Sequence, residues 1–475
     1  MSAGYSVGSH PMTASNALQR ESHLEARPMV SPSAPAMPAE RRTRIVVVGG
    51  GAGGLELVTR LATRLDRKSC EVMLVDRSRT HVWKPLLHEV ATGALDANLD
   101  ELAYGAHARR WGYTFVLGEM EAIDRVAREL ILAPLWDEAG RQIGGRQRIA
   151  YDGLVLAIGS EANDFGAPGV RENCLRLDSR VDADRFRQRL LEQCQRVSRA
   201  ASASPPRTES VRIAIVGAGA TGVELAAELH EVARSLGAHG SGLFDQACIE
   251  TTLIEAAPRI LPALGEKLSA AARVELEKLG VRVRAGVKIV AALPGGFMTA
   301  DGEMIGADLL LWVAGVKAPP VLERIDGLER SRSGQLLVQE TLQTTNDDRI
   351  WAIGDCCACP WPGSERPVPP RAQAAHQMAA TACENITRGL RGRSLRQFRY
   401  HDHGSLVSLS RYMAIGTLMG ALVGGQLAIQ GTIARLFYKS LYAMHLTAIH
   451  GSVRGAVHIA LGAVNRVIRP RLKLH

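Results

Sequence analysis

The sequence predicts an α/β chain built from two nucleotide-binding halves, and three observations carry that prediction. A Gly-rich turn follows a β-branched strand at "RIVVVGGGAGGLELVTRL" and again at "VRIAIVGAGATGVELAAEL". In each half the next apolar strand ends in an acid, Asp76 in the first and Glu255 in the second. A later apolar run, "DRIWAIGD", closes on Gly354-Asp355.

At 475 residues the chain has length for about three domains of roughly 150 residues. Its 46% hydrophobic content is that of a globular protein. A net charge of +9 favours an anionic partner: a nucleotide, a nucleic acid or an anionic membrane surface. Eight irregularly spaced cysteines do not make a disulfide framework and suit a reducing compartment. Residues 1–43 are rich in Ser, Pro and Ala and lack the apolar core of a signal peptide. They read as a disordered extension. No uninterrupted apolar run reaches the ~18 residues of a spanning helix.

Each element then has a local reason. Gly49, Gly51 and Gly54 fit G-x-G-x-x-G. The first permits a tight turn, the second lets backbone approach a pyrophosphate, and the third allows close packing of the helix. The pyrophosphate then sits at the positive helix end. "CEVMLVD" places Asp76 where an acid accepts hydrogen bonds from an adenosine ribose. Gly217, Gly219, Gly222 and Glu255 repeat the pattern, with the insert "SLGAHGSGLFDQA" lengthening the interval. An acid at both ribose positions repels a 2′-phosphate, so NAD(H) is expected over NADP(H). "YDGLVLAIGS" and "ADLLLWVAGV" end at Gly159 and Gly315 and read as the returns between halves. Asp355, beside a glycine, suits the ribityl or pyrophosphate part of a flavin; its other reading is an acid closing a strand or capping a helix.

In "PPRAQAAHQMA", Pro369 and Pro370 set a helix start, and Gln373 and Gln377 lie one turn apart on one face. After Asp402 there is no acid, while Arg411, Arg435, Lys439, Arg454, Arg466, Arg469, Arg471 and Lys473 all follow it. "SLVSLSRYMAIGTLMG" and "QLAIQG" read as the two strands of a hairpin. Ile433, Phe437, Leu441 and Met444 then recur at helical spacing beside Tyr438 and Tyr442, and Val453, Val457, Ile459 and Leu461 follow. Apolar faces with basic flanks suit an anionic leaflet; the alternative is packing on the chain's own core or on a second subunit. Basic residues spread along amphipathic helices, without a nucleic-acid module, exclude nucleic acid as a partner.

From about Arg44 to His475 the sequence resembles the two-dinucleotide-domain flavoproteins of glutathione-reductase-like fold, and within them the type II NADH dehydrogenases. "HVWKPLLHEVATGALD", "PRILPAL", "AIGDCCACP", "PPRAQAAHQMA", "DHGSLVSLS" and "NRVIRPRLKLH" carry the resemblance. It implies hydride transfer from NADH to FAD and then two-electron reduction of a membrane quinone, without proton pumping, on the cytoplasmic face of the cell membrane. The implied layout is FAD on 44–165 and 326–400, NADH on 166–325 and membrane association on 401–475. FAD is expected at Gly49, Gly51, Gly54, Asp76, Lys84, Gly159, Gly354, Asp355 and Ala374. NADH is expected at Gly217, Gly219, Gly222, Glu255 and Gly315. Glu224, Gln373 and Gln377 are the implied catalytic residues. A first-turn carboxylate stabilised by the helix dipole is the alternative reading of Glu224. Ala372, Gln373, Ala375, His376 and Gln377 are the implied quinone site, where small alanines admit the ring and amides bind its carbonyls; an Ala-rich packed helix whose amides satisfy backbone is the alternative. Lys84, Pro85, His88 and Glu89 match a loop and helix along the flavin, either relaying protons or forming a solvated face. The implied partners are NADH, a membrane quinone, an anionic membrane surface and a second copy of the chain.

Cys356-x-x-Cys359 has redox spacing, but disulfide reductases of this fold carry their pair just after the first nucleotide unit or inside the NAD domain, and neither place holds one here. Three sulfurs, Cys356, Cys357 and Cys359, are too few for a metal site, so no metal is expected. Sulfide:quinone oxidoreductase is the nearer rival, with Cys174 as one of its two required cysteines, yet it needs no NADH site. A third class is a flavoprotein that serves as an NADH-linked binding protein.

Overall fold

Val46, Val47 and Val48 are buried on both faces of the first strand, as a parallel strand covered on each side requires. The computed structural model describes residues 41–95, 101–137, 139–201, 210–238, 249–408, 414–420, 425–430 and 432–468. The predicted N-terminal extension lies, up to residue 40, outside the described residues. Six strands form the first sheet in the order Gln343–Thr344, Asp347–Ala352, Gly153–Leu156, Thr43–Val48, Cys70–Asp76 and Thr114–Leu117. All pair in parallel except the first two. The fingerprint strand Thr43–Val48 thus stands between the strand that ends in Asp76 and the return strand.

The second sheet repeats this order in four parallel strands: Arg282–Ala285, Ile249–Glu255, Val211–Val216 and Leu309–Trp312. Again the fingerprint strand lies between the acid-bearing strand and the return. Each Gly-rich turn therefore opens where the strand order reverses, the position at which open α/β sheets bind ligands. A three-stranded antiparallel sheet accompanies each half, Met120–Asp124, Glu129–Leu132 and Gln147–Ala150 in the first and Ile289–Leu293, Gly296–Thr299 and Met304–Gly306 in the second.

The two returns between halves run side by side. Glu161 and Lys317 exchange both backbone hydrogen bonds at 2.9 Å. Lys317 Nζ also reaches Asp164 at 3.0 Å, and Trp312 Nε1 donates to the Asn163 carbonyl at 2.8 Å.

The expected hairpin is instead three strands, Gly404–Ser408, Ala414–Gly420 and Gly425–Gln430, paired antiparallel in sequence order. "SLVSLSRYMAIGTLMG" is thus two strands, because the pairing of Ser408 with Ala414 requires the chain to reverse between them. Helices Thr432–His450 and Ser452–Ile468 follow, divided at Gly451. The core face of the first of these carries Leu446 and Ile449 into the first half's core, while Val407 joins the core of the second half. Met444, expected on the apolar face, is half exposed. Among the described residues no helix is long and apolar enough to cross a membrane. Arg411, Arg469, Arg471 and Lys473 lie outside the described residues, as do the side chains of Ile433, Arg435, Phe437, Tyr438, Lys439, Leu441 and Arg466.

Candidate functional site

The two Gly-rich turns have the same geometry. Gly49 and Gly217 take φ of 97° and 107°, a region that L side chains avoid. A Cβ on Gly54 would stand 1.9 Å from the Gly49 carbonyl oxygen, and one on Gly222 would stand 1.9 Å from that of Gly217. Gly51 and Gly219 are the opposite case: a Cβ on either would meet no atom within 4 Å. Each turn therefore pulls its helix tight at the third glycine and leaves open backbone at the second, which fits a pyrophosphate at a helix N-terminus.

Both acids already hold their turns. Asp76 accepts the Gly50 N–H at 2.6 Å and the Ser78 N–H at 2.7 Å. Glu255 accepts the Ala218 N–H at 2.8 Å and the Ala257 N–H at 2.9 Å. Burial raises the Asp76 carboxyl above its ordinary range, and the Gly50 and Ser78 N–H groups oppose that shift. This bracing of the residue after the first glycine was not read from the sequence.

Gly159 and Gly315 sit at the ends of the returns with φ of 70° and 64°. Beside Gly159, Ser160 ties two predicted residues together. Its hydroxyl donates to Asp355 Oδ2 at 2.8 Å, and its carbonyl accepts from Lys84 Nζ at 2.9 Å. Lys84 also lies 3.5 Å from Asp178. No motif singled out Ser160.

The helix Ala372–Leu390 starts directly after the proline pair, with Arg371 extended at its N-cap. Its first turn divides the predicted quinone residues between two faces. Gln373 donates to Asp402 and to the Gly404 carbonyl and accepts from His403 N–H; Gln377 donates to the His401 carbonyl and accepts from His401 N–H. The amides do share a face, and both hold the segment His401–Gly404. Ala374 is buried in the first core. Ala375 is pinched instead: a Cβ on Gly53 would be 3.2 Å from its methyl, and one on Gly354 would be 3.4 Å away. His376 turns away from the amides to the fingerprint helix, where Nδ1 meets the buried Glu56 at 2.5 Å. Ala372 is half-buried at the helix start.

Glu224 is the fifth residue of helix Ala220–Ala238, one turn beyond where the dipole reading put it. It is buried, accepts the Ser408 N–H at 3.0 Å and lies 3.6 Å from His88 Nδ1. Burial pushes its carboxyl up to about 8, helped by Glu89 and Glu228 and opposed by the Ser408 N–H. A dipole-stabilised carboxylate would shift the other way. His88 is also buried, not part of a solvated face, and burial lowers its imidazole to about 4. Both groups are then uncharged at neutral pH.

Cys356, Cys357 and Cys359 are buried free thiols. Cys356 and Cys357 donate to nearby carbonyls. Burial pushes Cys356 and Cys359 up to about 12 and Cys357 well above the usual thiol range. These are poor nucleophiles, since attack needs the thiolate. Cys174 is half-buried and likewise raised to about 12.

Residues 43–379 match the pyridine nucleotide-disulphide oxidoreductase family. A type II NADH:quinone oxidoreductase of Haemophilus influenzae is 46% identical over 442 residues, covering 91% of this chain and 99% of the relative. The chain belongs to the type II NADH:quinone oxidoreductase family. Solved structures agree with this enzyme's fold. NDH2 of Plasmodium falciparum in complex with NADH superposes with a TM-score of 0.77 at 17% identity, over 91% of this chain and all of that one. The sulfide:quinone oxidoreductase of Aquifex aeolicus gives 0.66 at 18% identity, over 90% of this chain and 95% of that one. The type II oxidoreductase thus shares its architecture with its nearest rival and is separated from it by the close sequence relative.

Proposed function

We propose that this chain oxidises NADH with a bound FAD and reduces a membrane quinone without pumping protons. The observation that carries the reading is the pair of open glycine turns, Gly51 and Gly219, in one chain whose two halves are joined by the paired returns at Glu161 and Lys317. FAD is assigned to segments 44–165 and 326–400, NADH to 166–325 and membrane contact to 401–475. Bound FAD supplies the hydride-accepting and two-electron chemistry.

The chain's own residues supply the rest. Gly51 presents open backbone to the FAD phosphates at the first helix end while Gly54 lets that helix pack tight, and Gly219 and Gly222 divide the same roles for NADH. Lys84, Ser160 and Asp355 form one hydrogen-bonded group between the flavin loop and the Gly354 turn. Glu224, uncharged at neutral pH, holds a proton at its buried carboxyl beside His88. Gln373 and Gln377 border the quinone site and fix the His401–Gly404 segment that walls it.

The exposed Val453, Val457 and Leu461 of helix Ser452–Ile468 supply the apolar surface for an anionic leaflet on the cytoplasmic side. Quinones with long apolar tails stay in lipid, so the reaction needs this attachment.

Anaerobic mixing tests the reading. NADH should bleach the flavin, sulfide and NADPH should not, and a short-chain quinone should restore the colour. Bleaching by sulfide alone would replace the reading with that of a sulfide oxidoreductase.

A further inference from the structure

The carbonyl of Gly50, inside the first Gly-rich turn, is held from below by two buried side chains. His81 Nδ1 lies 2.9 Å from it and the Tyr104 hydroxyl donates to it at 2.7 Å. The short antiparallel pairing of Thr80–His81 with Leu102–Ala103 brings these two side chains to the same oxygen. His81 Nε2 in turn lies 2.9 Å from Nε2 of His445, which comes from the C-terminal helix Thr432–His450.

The hydrogens in this chain of contacts can be assigned. Burial holds His81 at about 4 and His445 well below the usual imidazole range, so both rings are neutral, with one donor and one acceptor nitrogen each. A carbonyl can only accept. The proton of His81 is therefore on Nδ1, its Nε2 accepts, and His445 Nε2 donates. The order is His445 to His81 to Gly50.

That order bears on the nucleotide turn through peptide geometry. In a trans peptide the carbonyl and the following N–H point in opposite directions. With the Gly50 oxygen turned inward to His81 and Tyr104, the Gly51 N–H of the same peptide is turned the opposite way, at a residue that is itself exposed. We propose that His445 is a positioning residue for the FAD phosphate turn, acting through His81 on the Gly50 carbonyl and thereby coupling the seating of the C-terminal helix to the hold on FAD. The proposal rests on the FAD reading above.

His445 is not needed to dock the helix. Leu446 and Ile449 enter the first core, His107 Nε2 lies 2.8 Å from the Ile449 carbonyl, and Arg110 donates to the His450 carbonyl at 2.9 Å. The donor can thus be changed while the helix stays in place.

The test compares full-length wild-type holoenzyme with His445→Phe and His445→Gln, following FAD release by the rise of free-flavin fluorescence at pH 7. The His445 ring stacks on Trp83, centroids 5.7 Å apart; Phe keeps that ring but donates nothing, whereas the amide of Gln can donate where the imidazole did. The expected result is release about tenfold faster for Phe, the scale of one lost hydrogen bond, and within about twofold of wild type for Gln, with equal melting temperatures for the two variants. Release from His445→Phe at the wild-type rate would overturn the proposal, and so would equal acceleration in both variants, which would mean a displaced helix and not a missing donor. A wild-type protein that carries no FAD would overturn the underlying cofactor assignment, a separate outcome.

Discussion

His88 and Glu224 face each other across 3.6 Å in the interior, one from the helix Leu87–Thr92 of the first half and one from the second half's fingerprint helix. Glu224 is raised to about 8 and His88 lowered to about 4, each mainly by burial. Between pH 4.5 and 8 the folded chain keeps a Glu224 proton that the unfolded chain has released, so this group lowers stability as pH rises. Between pH 4 and 6.5 the unfolded chain binds a His88 proton that the folded chain refuses, so this group raises stability as pH rises. The two slopes oppose each other up to pH 6.5, and Glu224 acts alone from there to about 8, at up to about 1.4 kcal/mol per pH unit. Glu224→Gln removes that slope. Its melting temperature should gain on wild type between pH 6.5 and 8, and parallel melting curves across that window would contradict the assignment.

The glycines of the two turns should fail differently according to their position. Gly54→Ala places a methyl 1.9 Å from the Gly49 oxygen and should unfold the turn, lowering the melting temperature of the whole first half. Gly51→Ala has room for its methyl in the folded chain, and should keep the fold while weakening FAD. Gly219→Ala should raise the KM for NADH with FAD content unchanged. Equal melting temperatures for the Gly51 and Gly54 variants would refute this division.

Gln377→Leu breaks two hydrogen bonds to His401 at the edge of the proposed quinone site. The KM for a short-chain quinone should rise about fivefold, the scale of a net hydrogen bond, while the KM for NADH stays put. Gln373→Leu removes partners from Asp402, His403 and Gly404 together and should also cost about 1–3 kcal/mol of stability. Equal changes in both Michaelis constants would detach Gln377 from the quinone.

A chain ending at Gly451 loses residues 452–475, that is, the helix whose Val453, Val457 and Leu461 are 79%, 50% and 56% exposed together with the basic residues Arg469, Arg471 and Lys473 that follow it. It should stop sedimenting with anionic vesicles yet keep FAD and NADH-to-ferricyanide activity. Ending the chain at residue 431 also strips Leu446 and Ile449 from the first core, at about 2–5 kcal/mol for each such loss. That longer deletion should lose stability as well as attachment. Continued sedimentation of the chain ending at Gly451 would remove the last helix from the membrane contact.

The nucleotide halves were legible because their chemistry is local. Gly49, Gly54 and Asp76 lie within one strand–turn–helix–strand unit, and the backbone dictates which residue each position takes. Ser408 and Ala414 show where local reading stops: "LSRYM" between them contains no Gly, Pro, Asn or Asp to announce a reversal. The pairs that matter most around the site were invisible for another reason. His81 and His445 are 364 positions apart, and Glu56 and His376 are 320 apart. Single residues of that kind carry no periodicity, and only the packing of the C-terminal helix on the first half makes them neighbours. The surroundings of Glu224 have the same origin, since the Ser408 N–H that it accepts comes from 184 positions away.

The paired returns at Glu161 and Lys317 have a kinetic meaning. Two reciprocal backbone hydrogen bonds, the Lys317–Asp164 ion pair and the Trp312–Asn163 bond sit where a hinge between the halves would have to bend. Both returns cross between the halves, so these bonds tie the two linkers into one two-stranded ribbon that any hinge motion must bend as a unit. Any change in the spacing of the two Gly-rich turns is then a concerted bend of this ribbon, and never an independent swing of one linker.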